Sequence, residues 1–298
     1  MEAAFAPGAE AEQAMNRDRP DQSYVEARRA LLDALDALGP QRNAIIVAGA
    51  QAVYLRAGPG SPSIADYTTD GDLALDPTLL VDAPTLGELM EGAGFKLASL
   101  QGAPEPGIWK IPAIVHGVEV TIAVDLIVPQ GVAPPGGTRG ARLGPHGKRA
   151  ARKAVGLEAA LVDNETMRIE ALDPGDTRSS ETRVAGIAAL LVAKTHKIND
   201  RVESGREGRL EDKDASDVVR LMQASAPSQV AETLSELTEH ATAGPPTGLA
   251  LERFHSLFGT RGGTGIEMAA RALRIGMPED RVRTICLAYA SELRSALQ

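Results

Sequence analysis

The chain has 298 residues, 43% hydrophobic and 24% charged, with a formal net charge of −9; that is enough apolar material for a large core and enough length for two domains. The acidic balance excludes a generally basic nucleic-acid coat, so any such partner must meet a local positive patch, and an aromatic content of 3% argues against a base-stacking platform. No run reaches the ~18 to 20 apolar residues of a membrane span, no signal pattern opens the chain, the lone Cys286 excludes an internal disulfide, and the five histidines lack ligand spacing, so a cytoplasmic protein is expected.

In chain order, residues 1–21 are rich in Ala, Glu and Pro and read as a flexible tail. Ala27, Leu31, Leu32, Leu35 and Leu38 share one face of a helix that Gly39-Pro40 stops. Ile45 to Val47 reads as a strand, Gly49 turns into a helix through Ala50, Val53 and Leu55, and after a loop from Gly58 to Ser63 a second strand spans Thr68 to Leu75. Asp70 and Asp72 stand two apart on that strand, so both carboxylates leave from one face. Like charges so close repel unless a cation sits between them, and a set of oxygen donors suits Mg²⁺.

A short helix from Leu86 to Met90 and a strand from Phe95 follow; then Ile108–Val115 and Val118–Val128 form an antiparallel pair across His116-Gly117. Asp125, near the end of the second strand, is the candidate third carboxylate, because a buried strand acid must be paired or coordinated. Glu119 has the same parity and competes; Asp125 is preferred because sites gather at strand ends. Gly131 to Lys153 is the most basic segment, with Arg139, Arg142, Lys148, Arg149, Arg152 and Lys153. It reads either as solvated loop charge or as an RNA- and phosphate-binding loop leading into a helix.

Leu157–Val162 and Met167–Leu172 read as a small hairpin, and from about Asp173 the pattern turns helical, with Ser180 to Thr182 capping a helix over Val184–Val202. Lys194, Lys197 and Arg201 project from one face of it, a row that by itself reads first as an ordinary solvated face and otherwise as one able to hold a triphosphate. After a Gly/Arg-rich loop, Asp214 and Asp217 share a helical face. Four further helices, over Val230–His240, Gly248–Phe258, Ile266–Ile275 and Pro278–Leu297, complete a bundle that closes one side of a cleft.

Strand, glycine turn, helix, Asp-x-Asp and a later strand carboxylate resemble the nucleotidyltransferase superfamily of DNA polymerase β and the aminoglycoside nucleotidyltransferases; Ala50 stands where Gly or Ser is usual. With the Lys194 helix and the Lys213-Asp214-x-x-Asp217 helix, the chain from Ile45 to Leu221 is similar to the AbiEii-type nucleotidyltransferase toxins, which include the mycobacterial MenT toxins. The resemblance implies an α+β fold, with a mixed-sheet polymerase β-like domain over residues 22–172 and a helical domain over 173–298. It also implies Mg²⁺-dependent transfer of a nucleoside monophosphate from a triphosphate to an acceptor hydroxyl, that of the 3′ end of tRNA, by a toxin with a cognate antitoxin. Asp70, Asp72 and Asp125 would hold metal, and Gly49, Ala50, Thr69, Lys194, Lys197 and Asp214 would bind nucleotide. Thr68 or Thr69 with Asp70 match the family's Ser-x-Asp, Lys194 its essential lysine and Asp214 its downstream aspartate; the family's arginine before Ser-x-Asp is absent, Asp66 and Tyr67 standing there. Transfer to a small hydroxylated molecule, or a catalytically inactive nucleotide- or partner-binding relative, are the alternatives.

Overall fold

The computed structural model describes residues 20–58, 68–204 and 212–298. Residues 1–19 of the expected tail, most of the Gly58–Ser63 loop, Asp66, Tyr67 and the Gly/Arg-rich loop after Ser204 lie outside them. Described strands are β1 (Ile45–Ala48), β2 (Asp70–Leu75), β3 (Lys96–Leu100), β4 (Ala103–Val115), β5 (Val118–Pro129), β6 (Arg152–Ala154), β7 (Asn164–Glu170) and β8 (Ser179–Ala185). They form one mixed sheet in the order β3-β4-β5-β2-β1-β8-β7, with β6 paired to β5. β2 is antiparallel to β1 and parallel to β5, and β1 is parallel to β8. All of β1 is buried, which suits a continuous apolar run in a central strand covered on both faces. The β4–β5 hairpin turns through His116 and Gly117, both at positive φ, the geometry of a two-residue turn that matches strand twist.

Helices α1 (Gln22–Ala37), α2 (Gly49–Ala57) and α3 (Leu86–Gly92) precede the long hairpin; α4 (Ile187–Glu203), α5 (Asp212–Ala224), α6 (Pro227–Glu239), α7 (Gly244–Phe258), α8 (Thr264–Leu273) and α9 (Glu279–Ala296) follow the sheet. The architecture is therefore α+β, a mixed sheet with helices at its C-terminal side. Among the described residues no helix is long and apolar enough to cross a membrane.

Three expectations need correction. Residues 157–162 form a short 3-10 turn (Glu158–Leu161) instead of a strand, and β7 pairs antiparallel with β8. Ser180 to Thr182 lie inside β8, so the sheet runs on past Asp173 and α4 starts only at Ile187. Gly186 at its N-cap offers no side chain; instead Asp163 Oδ2 accepts the Ala189 N–H at 2.8 Å. Thirdly, the basic segment leads into β6, not into a helix. β6 continues the edge of β5 beyond the stretch that β4 covers, because β4 pairs as far as Asp125 and β6 pairs from Ile127 onward.

Candidate active site

The parallel register of β2 and β5 sets Asp72 opposite Asp125 and Asp70 opposite Ala123, so carboxylates from two neighbouring strands gather on one face of the sheet. Glu119 is exposed at the other end of β5, opposite Ile114, and is no part of this group. Gly49 has φ +63, and a Cβ there would stand 2.7 Å from Asp72 Cγ. The glycine that opens α2 thus clears space for the Asp72 carboxylate, a more immediate role than the phosphate approach expected of it. The Thr68 hydroxyl donates to Asp70 Oδ1. Ala50 is buried in the first turn of α2 and Thr69 is exposed ahead of β2; neither faces the cleft described below.

Arg152 departs most from expectation. Instead of facing solvent, its guanidinium turns inward, with Nη2 at 2.8 Å and Nε at 3.1 Å from Asp125 Oδ2, and Nη2 at 4.0 Å from Asp72 Oδ1. Burial, then the neighbouring charge of Asp70, push Asp72 above the usual carboxylate range against Lys197, Arg152 and Lys194. Burial and the Asp72 charge likewise raise Asp125, with Arg152 opposing. Of the other basic-loop residues, Lys153 Nζ donates to the carbonyls of Gly137 (2.6 Å) and Gly136 (3.3 Å), while Arg139, Arg142, Lys148 and Arg149 are exposed.

Opposite the sheet, α4 and α5 carry a buried ionic cluster. Lys194, 4% exposed, donates to Asp214 Oδ1 at 2.7 Å and to Asp217 Oδ2 at 2.6 Å. Lys197 reaches Asp214 Oδ1 at 3.2 Å, and Arg201 donates to Asp214 Oδ2. Burial would raise Asp214, but Lys194, Lys197 and Arg201 outweigh it and hold the carboxyl far below its ordinary value; the two aspartates in turn hold Lys194 above its own against burial. Lys194 is therefore the fixed centre of this cluster, and the more exposed Lys197 is better placed to meet a ligand. The role of Asp217 was signalled by its three-residue spacing from Asp214 on a helix. Lys213 reads in the sequence as part of the Lys-Asp-x-x-Asp motif without a site role; in the structure, burial lowers its pKa, against the charges of Asp217 and Asp70, so its ammonium lies in the field of both the ionic cluster and the strand carboxylates.

Between these groups lies a cleft of about 690 Å³. Gly49 and Asp72 line it, Arg139, Arg152 and Lys153 form one cationic wall, and Lys194, Lys197 and Arg201 the other. Ile127, Leu157 and Leu190 add apolar surface. Two positive walls around a carboxylate-bearing floor suit a polyanion that brings its own cation.

For Mg²⁺ the donor chemistry fits: Asp70 and Asp72 present hard oxygens whose repulsion a divalent ion relieves. Among the described residues, however, no three His, Cys, Asp or Glu side chains converge as a metal-binding group, and Asp125 is engaged by Arg152. The fit is thus to two carboxylates, with Asp125 joining only if Arg152 gives way. No family model matches this chain, and comparison with curated proteins yields no match.

Proposed function

We propose that the protein is a nucleotidyltransferase that moves a nucleoside monophosphate from a triphosphate to an acceptor hydroxyl. The observation that carries the reading is the cleft itself: Asp72 of β2, in register with Asp125 of the parallel β5, on the floor between two cationic walls. Asp70 and Asp72 would hold Mg²⁺, which when bound supplies positive charge against the triphosphate oxygens. Lys197, Arg201 and the opposing Arg139 and Lys153 bind and orient the phosphates. The acceptor oxygen bonds to the α-phosphorus as the bond to the β-phosphate oxygen breaks. Asp125 Oδ1 takes the hydroxyl proton, and pyrophosphate leaves against Lys197 and Arg201.

The acceptor proposed is the 3′ end of tRNA, and the biological role that of a toxin held in check by a cognate antitoxin, as the family resemblance implies. The exposed Arg142, Lys148 and Arg149, on the loop that carries the Arg139 wall, support an RNA acceptor because phosphate contacts need only a local patch. Incubation with total tRNA, Mg²⁺ and each of the four α-labelled triphosphates should label tRNA, and Asp70→Ala should abolish labelling without unfolding the chain. An Asp70→Ala protein that releases pyrophosphate at the wild-type rate would refute the site. One observation favours a second reading, a nucleotide-binding relative without transferase activity: Arg152 sits on Asp125. Triphosphate binding with no Mg²⁺-dependent labelling of any acceptor would decide for it.

A further inference from the structure

The two cationic walls arise from distant parts of the chain, Arg152 and Lys153 on β6 and Lys197 and Arg201 on α4. Glu158 lies behind the cleft, only 3% exposed, with both carboxylate oxygens used. Oε1 accepts the Gly131 N–H at 2.8 Å, and Oε2 accepts the Gly156 N–H at 2.8 Å. The first bond fixes the turn after β5 that carries Gln130 to the cleft; the second fixes the segment leaving β6 that carries Ala154, Val155 and Leu157 to it.

Gly156 also lies against α4. A Cβ there would stand 2.7 Å from His196 Cδ2, so backbone and imidazole are in direct contact. His196 is itself immobilised: its Nε2 lies 2.8 Å from the Pro246 carbonyl oxygen and its Nδ1 2.7 Å from Arg253 Nη1, so Nε2–H donates to Pro246 while Nδ1 accepts from Arg253. On α4, His196 stands between Lys194 and Lys197. An unbroken chain of contacts therefore runs from the Gln130 turn through Glu158 and Gly156 to His196 and the lysine-bearing helix.

We infer that Glu158 is a positioning residue that sets the distance between the cationic walls, so that a polyphosphate spanning both is gripped while a single phosphate is indifferent to it. A buried carboxylate that satisfies two backbone donors in separate segments is suited to this, because each bond to an ionised acceptor is shorter and stronger than a neutral one. The inference rests on the polyphosphate reading of the cleft and deepens it.

The test compares inorganic tripolyphosphate with orthophosphate by calorimetry, in the full chain, for the wild type and Glu158→Gln. The carboxamide keeps the shape but can accept only one of the two N–H groups. Expected is a loss of about tenfold or more in tripolyphosphate affinity, since misplacement of about 1 Å can cost on the order of 100-fold, with orthophosphate affinity unchanged and the glutamine variant still folded. Gly131→Ala, whose methyl would press on Glu158 Cγ at 3.2 Å, should give the same pattern from the opposite end of the clamp and carries the test if Glu158→Gln does not fold. Equal tripolyphosphate affinity in the wild type and the folded variant overturns the positioning role, as does an equal loss for both ligands, which would mean damage to one wall. A wild type that binds no tripolyphosphate overturns the polyphosphate cleft itself, a distinguishable failure.

Discussion

Replacing Asp214 by Asn tests the buried ionic cluster most directly. The substitution keeps an oxygen near Lys194 but removes the charge that Lys194, Lys197 and Arg201 share. Lys194 is then left with Asp217 as its carboxylate partner in a site where its own side chain is 5% exposed, and Lys197 and Arg201 lose the carboxylate charge that they shared with it. Breaking a buried pair from one side costs about 3–5 kcal/mol. Lys197, 44% exposed in its side chain, can turn to water, so its share is small and the lower end applies. About 3 kcal/mol corresponds to a melting shift of about 5 °C in a chain of 298 residues. Urea unfolding of Asp214→Asn, Lys194→Met and the combined Asp214→Asn/Lys194→Met should show the double variant less destabilised than the sum of the single variants, because Lys194→Met removes the buried ammonium that Asp214→Asn deprives of one carboxylate partner.

The pH dependence follows from the same cluster. The folded pKa of Asp214 lies below its ordinary 3.8, so its contribution is complete above that value and is lost as pH falls through the folded one. Lys194 is raised above 10.5, so its contribution holds below that value and is lost only at higher pH. Wild type should therefore lose this stability on an acid limb below pH 3.8 that Asp214→Asn lacks. A cost for Asp214→Asn below about 1 kcal/mol, the level of an exposed pair, with an unaltered acid limb, would show that the cluster is solvated and the reasoning wrong.

Three further outcomes are expected. Gly49→Ala should cost about 1–2 kcal/mol for the left-handed backbone alone and should also weaken Mg²⁺ binding by displacing the Asp72 carboxylate; calorimetry showing unchanged Mg²⁺ affinity would contradict the packing of Gly49 on Asp72. Arg152→Gln frees Asp125 and removes a cation about 4 Å from Asp72, so nucleotide-free Mg²⁺ binding should tighten by about tenfold or more; unchanged or weaker binding would mean that Arg152 does not compete for the site. Asp163→Ala strips the acceptor from the first turn of α4 and should lower stability by about 1 kcal/mol in thermal melts, whereas no change would show that water replaces the carboxylate without loss.

Much of the sheet's centre was legible because its residues obey simple periodicity. Ile45 to Val47 form an apolar run, Asp70 and Asp72 alternate with Gly71 and Leu73, and His116-Gly117 separates two β-rich segments. β8 was missed because its polar sequence, Ser-Ser-Glu-Thr-Arg, matches a capping signal, and only tertiary pairing with β1 and β7 makes it a strand. From Ser179 to Val184 its buried Thr182 and Val184 alternate with the exposed Glu181 and half-buried Arg183, a weak period of two that the helix-like context concealed. In the site, the carboxylates were readable from parity on their strands. The role of Arg152 was not, since its partner Asp125 lies 27 positions away and the parallel β5–β6 pairing that joins them has no local signature. Glu158 was hidden for the same reason: nothing in its neighbours announces that two remote amides will point at it.

The overlap of position 49 with the Asp72 side chain couples the two sites in inheritance. Any larger residue at 49 must await a shorter one at 72, so a lineage that gave up the aspartate would gain latitude at the glycine as well, limited then only by the left-handed backbone. A suppressor screen begun from a Gly49 variant should accordingly return second changes at 72 that rescue folding without restoring the proposed transfer activity.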